Sequence, residues 1–367
     1  GQAWLDEITL TVDEAAAQAA RLVTDAAPLP VEVAPDDPNI RYVGRFDRGD
    51  KAGPRCAWSA STVAFKFQGT AANVKIKDGN QNRWQVEIDG KPTVTLQMRE
   101  GTHLYSVATD LAAGEHTVRL VKATEAFCGA SQFLGFQMSE GGKLLPPPAP
   151  ARRLEVIGDS ISAGYGNEAA SKEEHFTPKT ENAYFTYGAM AARQLDADYM
   201  CIAWSGKKMW PNNTIPELYD RTLPLDAGSK WDFSQWIPDV VLINLGTNDF
   251  GKENPDEAGW TDAYKAFIGR LRQHYPAAEI YCATSPMMGD WGANKARTTH
   301  RRYLDKIVTD LKAAGDAKVR IIEFPTQDPK NGIGADWHPN IKTHEIMAAN
   351  LVQTLANDLG WKPVPAQ

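Results

Sequence analysis

The sequence predicts two domains in series, an all-β sandwich or jelly roll followed by an α/β domain built on a parallel sheet. Three observations predict it. From Arg41 to about Met138, short runs alternate apolar and polar residues and are punctuated by Gly, Asp and Asn. Beyond residue 151, wholly apolar runs alternate with amphipathic stretches long enough for helices, the signature of βα units whose sheet is covered on both faces. Between the two lies "LLPPPAPARR" (residues 144–153), a proline-rich boundary poorly suited to either strand or helix.

Taken in order, residues 9–25, "TLTVDEAAAQAARLVTD", predict a short alanine-rich helix, and a proline-rich connector follows through Pro38. We therefore divide the chain into a helix and connector (1–40), a β-domain (41–145) and an α/β domain (151–362). The β-domain strands are read from "RYVGRFD", "TVAFKFQG", "NVKIKDG", "RWQVEIDG", "TVTLQM", "HLYSVA" and "HTVRLVKA". In the second domain the strands are "RLEVIGDS", "DYMCIAWSG", "DVVLINLGTND", "EIYCATSP" and "KVRIIEFP", with helices over Asp256–Tyr275 and Ala296–Ala314. The segment Lys207–Pro238 is too long for a simple connection and predicts a rim of the cleft.

Bulk properties narrow the function classes. Of 367 residues 43% are apolar and 23% charged, as in a soluble globular protein, and the formal charge of -7 leaves no broad basic surface for nucleic acid or anionic membrane. No apolar run approaches the roughly 20 residues of a membrane helix. The chain starts at Gly1 without an n-region and h-region, so a signal peptide is either removed or not included. Cys56, Cys128, Cys201 and Cys282 have no zinc-ligand spacing; Cys56 with Cys128 would form a disulfide in an oxidising compartment, or all four are isolated buried thiols. No metal and no cofactor are expected.

In a parallel sheet, ligands bind beyond the carboxyl ends of the strands. At those ends stand Ser160, Ser205-Gly206, Gly246 to Asp249 and Ser285. Ser160, at a strand-to-helix turn, is either a nucleophile or a helix cap, and its amide would lie at a helix N-terminus. A nucleophilic serine needs a base. Of the seven histidines, His338 in "GIGADWHPN" follows the last strand and precedes a helix starting near Asn340, which puts it at the same sheet edge. Charge developing on an acyl oxygen needs preplaced donors, and the Ser160 amide, the Gly206 amide and the Asn248 side chain are the candidates for an oxyanion hole.

These four blocks, "GDSIS" (158–162), Gly206, "GTND" (246–249) and "DWHPN" (336–340), resemble those of the SGNH, or GDSL-type, hydrolases over residues 151–360. With the β-domain in front, and with "RYVGRFDR", "PRCAWSAS" and "PELYDRTLP", the chain is similar to carbohydrate esterase family two, acetyl esterases of plant polysaccharides. The resemblance implies a three-layer SGNH fold on a flavodoxin-like parallel sheet, with a jelly roll ahead of it. It also implies a secreted or periplasmic serine esterase that removes O-acetyl groups from xylan- or glucomannan-type chains, with preference for a primary 6-O-acetyl, via an acetyl-serine. Where the general SGNH pattern has an aspartate three residues before the histidine, this chain has Ala335. Asp336 is therefore a doubtful orienter of His338, the alternative being a dyad oriented by a backbone carbonyl, as in some relatives.

Sugar rings favour flat aromatic platforms, so Trp210, Trp291 and Trp337 are candidate substrate-binding residues, the alternative for each being a place in the core. The partner so implied is an acetylated polysaccharide or oligosaccharide. There is no H-E-x-x-H, P-loop or G-x-S-x-G, and no carboxylate pair is singled out. Two other functions fit the sequence: a carbohydrate-binding protein with a degenerate hydrolase half, and an esterase or acyltransferase acting on another short-chain ester. A lipase fits less well, because no long apolar lid is present.

Overall fold

The computed structural model describes residues 25–364. Apart from Asp25, the helix expected over residues 9–25 lies outside them. Eleven strands make the first domain: β1 (Val31–Val33), β2 (Arg41–Val43), β3 (Arg55–Cys56), β4 (Thr62–Gly69), β5 (Ala72–Gly79), β6 (Arg83–Ile88), β7 (Lys91–Gln97), β8 (Glu100–Ala108), β9 (Gly114–Lys122), β10 (Ser131–Met138) and β11 (Lys143–Leu145). They form two antiparallel sheets, β1-β10-β5-β8 with β3 on β10, and β11-β4-β9-β6-β7 with β2 on β4. Strands β4, β5 and β6, and again β8, β9 and β10, alternate between the sheets, which closes a sandwich. Its core is aromatic, with Phe65 stacked on Phe136 at 4.1 Å between ring centres and Trp84 buried beside them.

The sequence reading needs correction at three strands, and of the two arrangements it left open for the cysteines the structure has buried thiols. Residues 31–33, assigned to the connector, add β1 to the edge of β10, and the boundary segment contributes Leu144 and Leu145 to β11 before the prolines end it. β10 is an eight-residue strand that was not singled out. It bulges between Phe133 and Phe136, where Gly135 has φ +107° and a Cβ would lie 2.4 Å from the Val33 carbonyl oxygen, so its alternation is broken. All four cysteines are free buried thiols, so Cys56 and Cys128 are not joined.

The second domain is a five-stranded parallel sheet of β12 (Arg152–Gly158), β13 (Ala197–Ala203), β14 (Val240–Asn244), β15 (Glu279–Ala283) and β16 (Val319–Ile322), ordered β13-β12-β14-β15-β16. Successive residues serve opposite faces: Val240 and Leu242 join one core, Val241 and Ile243 the other. A short α1 (Ser160–Ala163) follows β12; α2 (Tyr187–Gln194), α3 (Glu257–His274), α4 (Ala296–Ala313) and α5 (Ile341–Leu359) come later. α2 and α5 cover one face with Ala191, Met347 and Leu351, and α3 and α4 the other with Trp260, Leu271 and Leu304. This strand order reverses at β12, so the binding crevice is expected between the ends of β12 and β14.

Segment 207–238 is not merely a rim. Met209, Ile215, Tyr219, Trp231 and Trp236 are buried in the α3/α4 core, and that same core takes in Ala57, Trp58 and Ala126 of the β-domain. Polar contacts also cross the boundary: Arg41 to Asp198 at 2.6 Å, Arg83 to Glu168 at 2.8 Å, and the Tyr184 hydroxyl to Glu87 at 2.7 Å. Arg45 is fully buried; its Nη1 donates to the carbonyls of Tyr219 and Arg221, and its Nη2 lies 3.4 Å from Glu155 on β12.

Candidate active site

The capping role at the start of α1 belongs to Asp159, whose Oδ1 accepts from the Ile161 N–H at 3.1 Å. The Ser160 hydroxyl is thereby free of it. Gly158 is required by close approach: a Cβ there would lie 2.2 Å from Ser162 Oγ. Ser160 is 4% exposed, and its Oγ lies 2.9 Å from His338 Nε2. His338 Nδ1 is 3.1 Å from the Ala335 carbonyl and 3.2 Å from the Asp336 carbonyl. Carbonyls only accept, so the ring proton sits on Nδ1 and the Nε2 lone pair faces Ser160. Burial pushes the His338 imidazole below its ordinary value and the two carbonyls oppose this, which leaves the ring neutral at neutral pH.

The loop carrying His338 is fixed from both sides. Ala335 N–H donates to Gly166 O at 3.0 Å, Asp336 N–H to Glu174 O at 3.0 Å, and Gly334 N–H to His338 O at 2.8 Å. Asp336 and Trp337 adopt φ +48° and +68°, the left-handed region that non-glycine residues rarely occupy. This turn sends the Asp336 carboxylate away from the imidazole. It accepts from the Tyr165 hydroxyl at 2.8 Å and the Phe176 N–H at 3.0 Å and pairs with His175 at 2.8 Å, and these three partners hold its carboxyl down at about 2. The side chain touches Tyr165, and the Tyr165 ring lies against the imidazole, 4.2 Å between centres. What faces His338 is the Asp336 carbonyl. Asp336→Asn, which tolerates the left-handed backbone, should therefore lower kcat less than tenfold in steady-state ester hydrolysis; a carboxylate that oriented the imidazole would cost about 10⁴-fold when replaced.

The three expected oxyanion donors are gathered at one place. Asn248 Nδ2 donates to the Lys207 carbonyl at 2.9 Å and lies 3.5 Å from Asp159 Oδ2, so it is flanked by the neighbours of Gly206 and of Ser160. Gly206 has φ +75°, and among the described residues no backbone carbonyl accepts from the Ser160 or Gly206 N–H. Burial raises the Asp159 carboxyl to about 7, with the charge of Asp249 adding to it and the Ile161 N–H and Thr247 opposing. Asp249 was missed as a site-building residue: it accepts from the Met209 and Trp210 N–H groups at 3.1 and 2.9 Å and from Trp260 Nε1 at 2.9 Å, which ties the loop after Gly206 to α3. Its place in "GTND" was the available signal.

The tryptophans divide. Trp210 packs half-buried on the start of α3, where a Cβ at Gly259 would lie 2.6 Å from its ring. Trp291 is 78% exposed and Trp337 55%, the latter with Lys172 Nζ 3.8 Å above its ring. A wall of rings, missed in the sequence, runs from the β-domain to the imidazole: Phe127 against Phe176 at 5.3 Å, Phe176 stacked on Tyr165 at 4.4 Å, and Tyr165 on His338.

Comparison with known proteins covers both domains. Residues 42–148 match the family described as Carbohydrate esterase 2 N-terminal, and residues 156–346 match the GDSL-like Lipase/Acylhydrolase family. A cellulase/esterase CelE of Acetivibrio thermocellus is 45% identical over 89% of this chain, which spans 40% of that relative's length. An acetylxylan esterase / glucomannan deacetylase of Cellvibrio japonicus is 29% identical, covering 83% of this chain and 86% of its own. The structure of a family two carbohydrate esterase from Clostridium thermocellum in complex with cellohexaose is 45% identical with a TM-score of 0.83, covering 88% of this chain and 99% of its own.

Proposed function

This chain belongs to carbohydrate esterase family two, and from that premise we propose that it removes O-acetyl groups from xylan- or glucomannan-type polysaccharides through an acetyl-serine intermediate. His338 Nε2 takes the proton of Ser160 Oγ as the oxygen attacks the acetyl carbonyl. The oxyanion rests on the Ser160 and Gly206 N–H groups and on Asn248 Nδ2. As the tetrahedral intermediate collapses, the sugar oxygen leaves with the proton from His338; water then gives its proton to the same nitrogen, attacks the acetyl-serine, and Ser160 recovers its hydrogen.

One observation carries the reading, the 2.9 Å contact of Ser160 Oγ with an imidazole nitrogen whose partner nitrogen is bound to carbonyls. Here a positive imidazolium is steadied by the dipoles of Ala335 and Asp336 instead of by a carboxylate. The preference for a primary 6-O-acetyl rests on the likeness to carbohydrate esterase family two. By the same likeness the enzyme is secreted or periplasmic, where an acetylated polysaccharide or oligosaccharide can reach it.

The test is acetate release from acetylated glucomannan and acetylated xylan, with NMR of the residual polymer to read the position lost. Trp337→Ala and Trp291→Ala are each expected to raise KM for the polymer about fivefold while leaving p-nitrophenyl acetate kinetics within twofold, since a stacked ring is worth about 1 kcal/mol. No acetate from any acetylated polysaccharide would end this reading.

A further inference from the structure

We propose that Glu125, supplied by the β-domain, is a positioning residue for the oxyanion hole: it holds the turn at Ser205 so that the Gly206 N–H faces the reacting carbonyl. The proposal rests on the esterase reading above. Glu125 is 0% exposed and stands just before the single turn Ala126–Cys128. Its carboxylate takes both donors of Ser205, the N–H at 2.6 Å and the hydroxyl.

On its far side the turn is held by others: Asn213 Nδ2 donates to the Gly206 carbonyl at 3.1 Å, Asn248 Nδ2 to the Lys207 carbonyl at 2.9 Å, and Lys208 N–H to the Asn213 carbonyl at 3.0 Å. At Ser205 itself the anchor is Glu125. Gly206 itself, at φ +75°, has a backbone free to take other conformations at little cost, and a Cβ there would meet nothing within 4 Å. With both Ser205 donors committed to Glu125, the Trp204–Ser205 peptide and the Ser205 side chain are held, which anchors the residue immediately before Gly206. Released from Glu125, Ser205 can rotate and carry the adjoining Gly206 N–H out of line.

Behind Glu125 stands a second carboxyl. Glu181 Oε2 accepts from the Glu125 N–H at 3.0 Å, and Glu181 Oε1 is buried without a hydrogen-bond partner among the described residues, facing the Glu125 carboxylate. Since Ser205 gives Glu125 two donors and Oε1 of Glu181 has none, the one proton of the pair sits on Glu181. Burial, followed by the charge of Glu125, lifts the Glu181 carboxyl well above the usual range. Lys122, whose Nζ donates to the carbonyls of Thr124 and Glu125 at 2.8 and 3.2 Å, is the buried cation facing the pair, and Arg83 reaches only the Glu181 carbonyl, at 3.1 Å. Cys128, Cys201 and Tyr165 are the other titratable groups around it. When the pH rises through the Glu181 value, a second negative charge appears beside Glu125, the two repel, and the turn loses its hold.

The experiment uses the full chain with p-nitrophenyl acetate. Glu125→Gln can accept from only one Ser205 donor, and kcat is expected to fall about 10²-fold with KM within twofold, the loss typical of one oxyanion donor. The unaltered chain is expected to lose kcat between neutral and alkaline buffer; Glu181→Gln offers Glu125 an N–H at every pH, so that fall should vanish. If Glu125→Gln fails to fold, the Glu181→Gln profile decides. An active parent chain whose kcat survives Glu125→Gln, or whose alkaline fall persists in Glu181→Gln, overturns this proposal and leaves the esterase reading standing; a parent chain without esterase activity overturns that reading instead.

Discussion

Ser160→Ala is expected to lower kcat on p-nitrophenyl acetate by at least about 10⁴-fold, with KM little changed and the melting temperature unmoved. The chemical part follows from position: the hydroxyl lies 2.9 Å from His338 Nε2, and among the described residues no other oxygen nucleophile is bound to that nitrogen. The folding part follows from the cap. A serine that capped α1 would cost about 1 kcal/mol when replaced, but Asp159 does the capping, through the Ile161 N–H. Steady-state kinetics and thermal unfolding on the same sample separate the two effects. A variant that lost its melting temperature together with its rate would identify Ser160 as a structural residue, and one that kept its rate would remove it from the chemistry.

The largest effect on stability is expected at the domain boundary. Arg45→Met should cost about 3–5 kcal/mol, read as a lowered urea midpoint, because it strands a buried carboxylate. Arg45 and Glu155 are both fully buried, with the guanidinium stacked over the ring of Tyr219 at 4.7 Å and the Tyr219 hydroxyl donating to Glu155 at 2.8 Å. Burial already raises the Glu155 carboxyl, and Arg45 is the charge that opposes this. Without it the folded-state value rises further above the unfolded one. The sign follows: the stability that protonated Glu155 contributes is complete below its unfolded value and is lost as pH climbs to the folded one, so the deficit of Arg45→Met should shrink in acid buffer. Adding Glu155→Gln should recover much of the loss at neutral pH.

Residues at strand ends were legible because a parallel sheet places its strand ends on one edge by topology alone. Ser160, Gly206, Asn248 and His338 come from four separate parts of the chain, and the apolar runs before the first three were enough to bring them together. Direction was not legible. Nothing in "GADWHPN" signals that Asp336 and Trp337 take left-handed backbone, and that one fact decides that a carbonyl and not a carboxylate meets the imidazole. The strand at 131–138 escaped because its bulge at Gly135 breaks the two-residue period, and β11 because three residues leave almost no pattern. Glu125 and Ser205, 80 positions apart and in different domains, carry no local sign of each other.

The shared core of Trp58, Ala57 and Ala126 with α3 and α4 has a bearing on recombination. Proline-rich joints are natural places to cut and splice genes, and the run from Pro146 to Ala151 invites it. A hydrolase half cut there would bare the socket of Trp58, strand Glu155, and lose the Glu125 grip on Ser205. As a cassette to be moved between larger enzymes, sandwich and hydrolase therefore have to be inherited together.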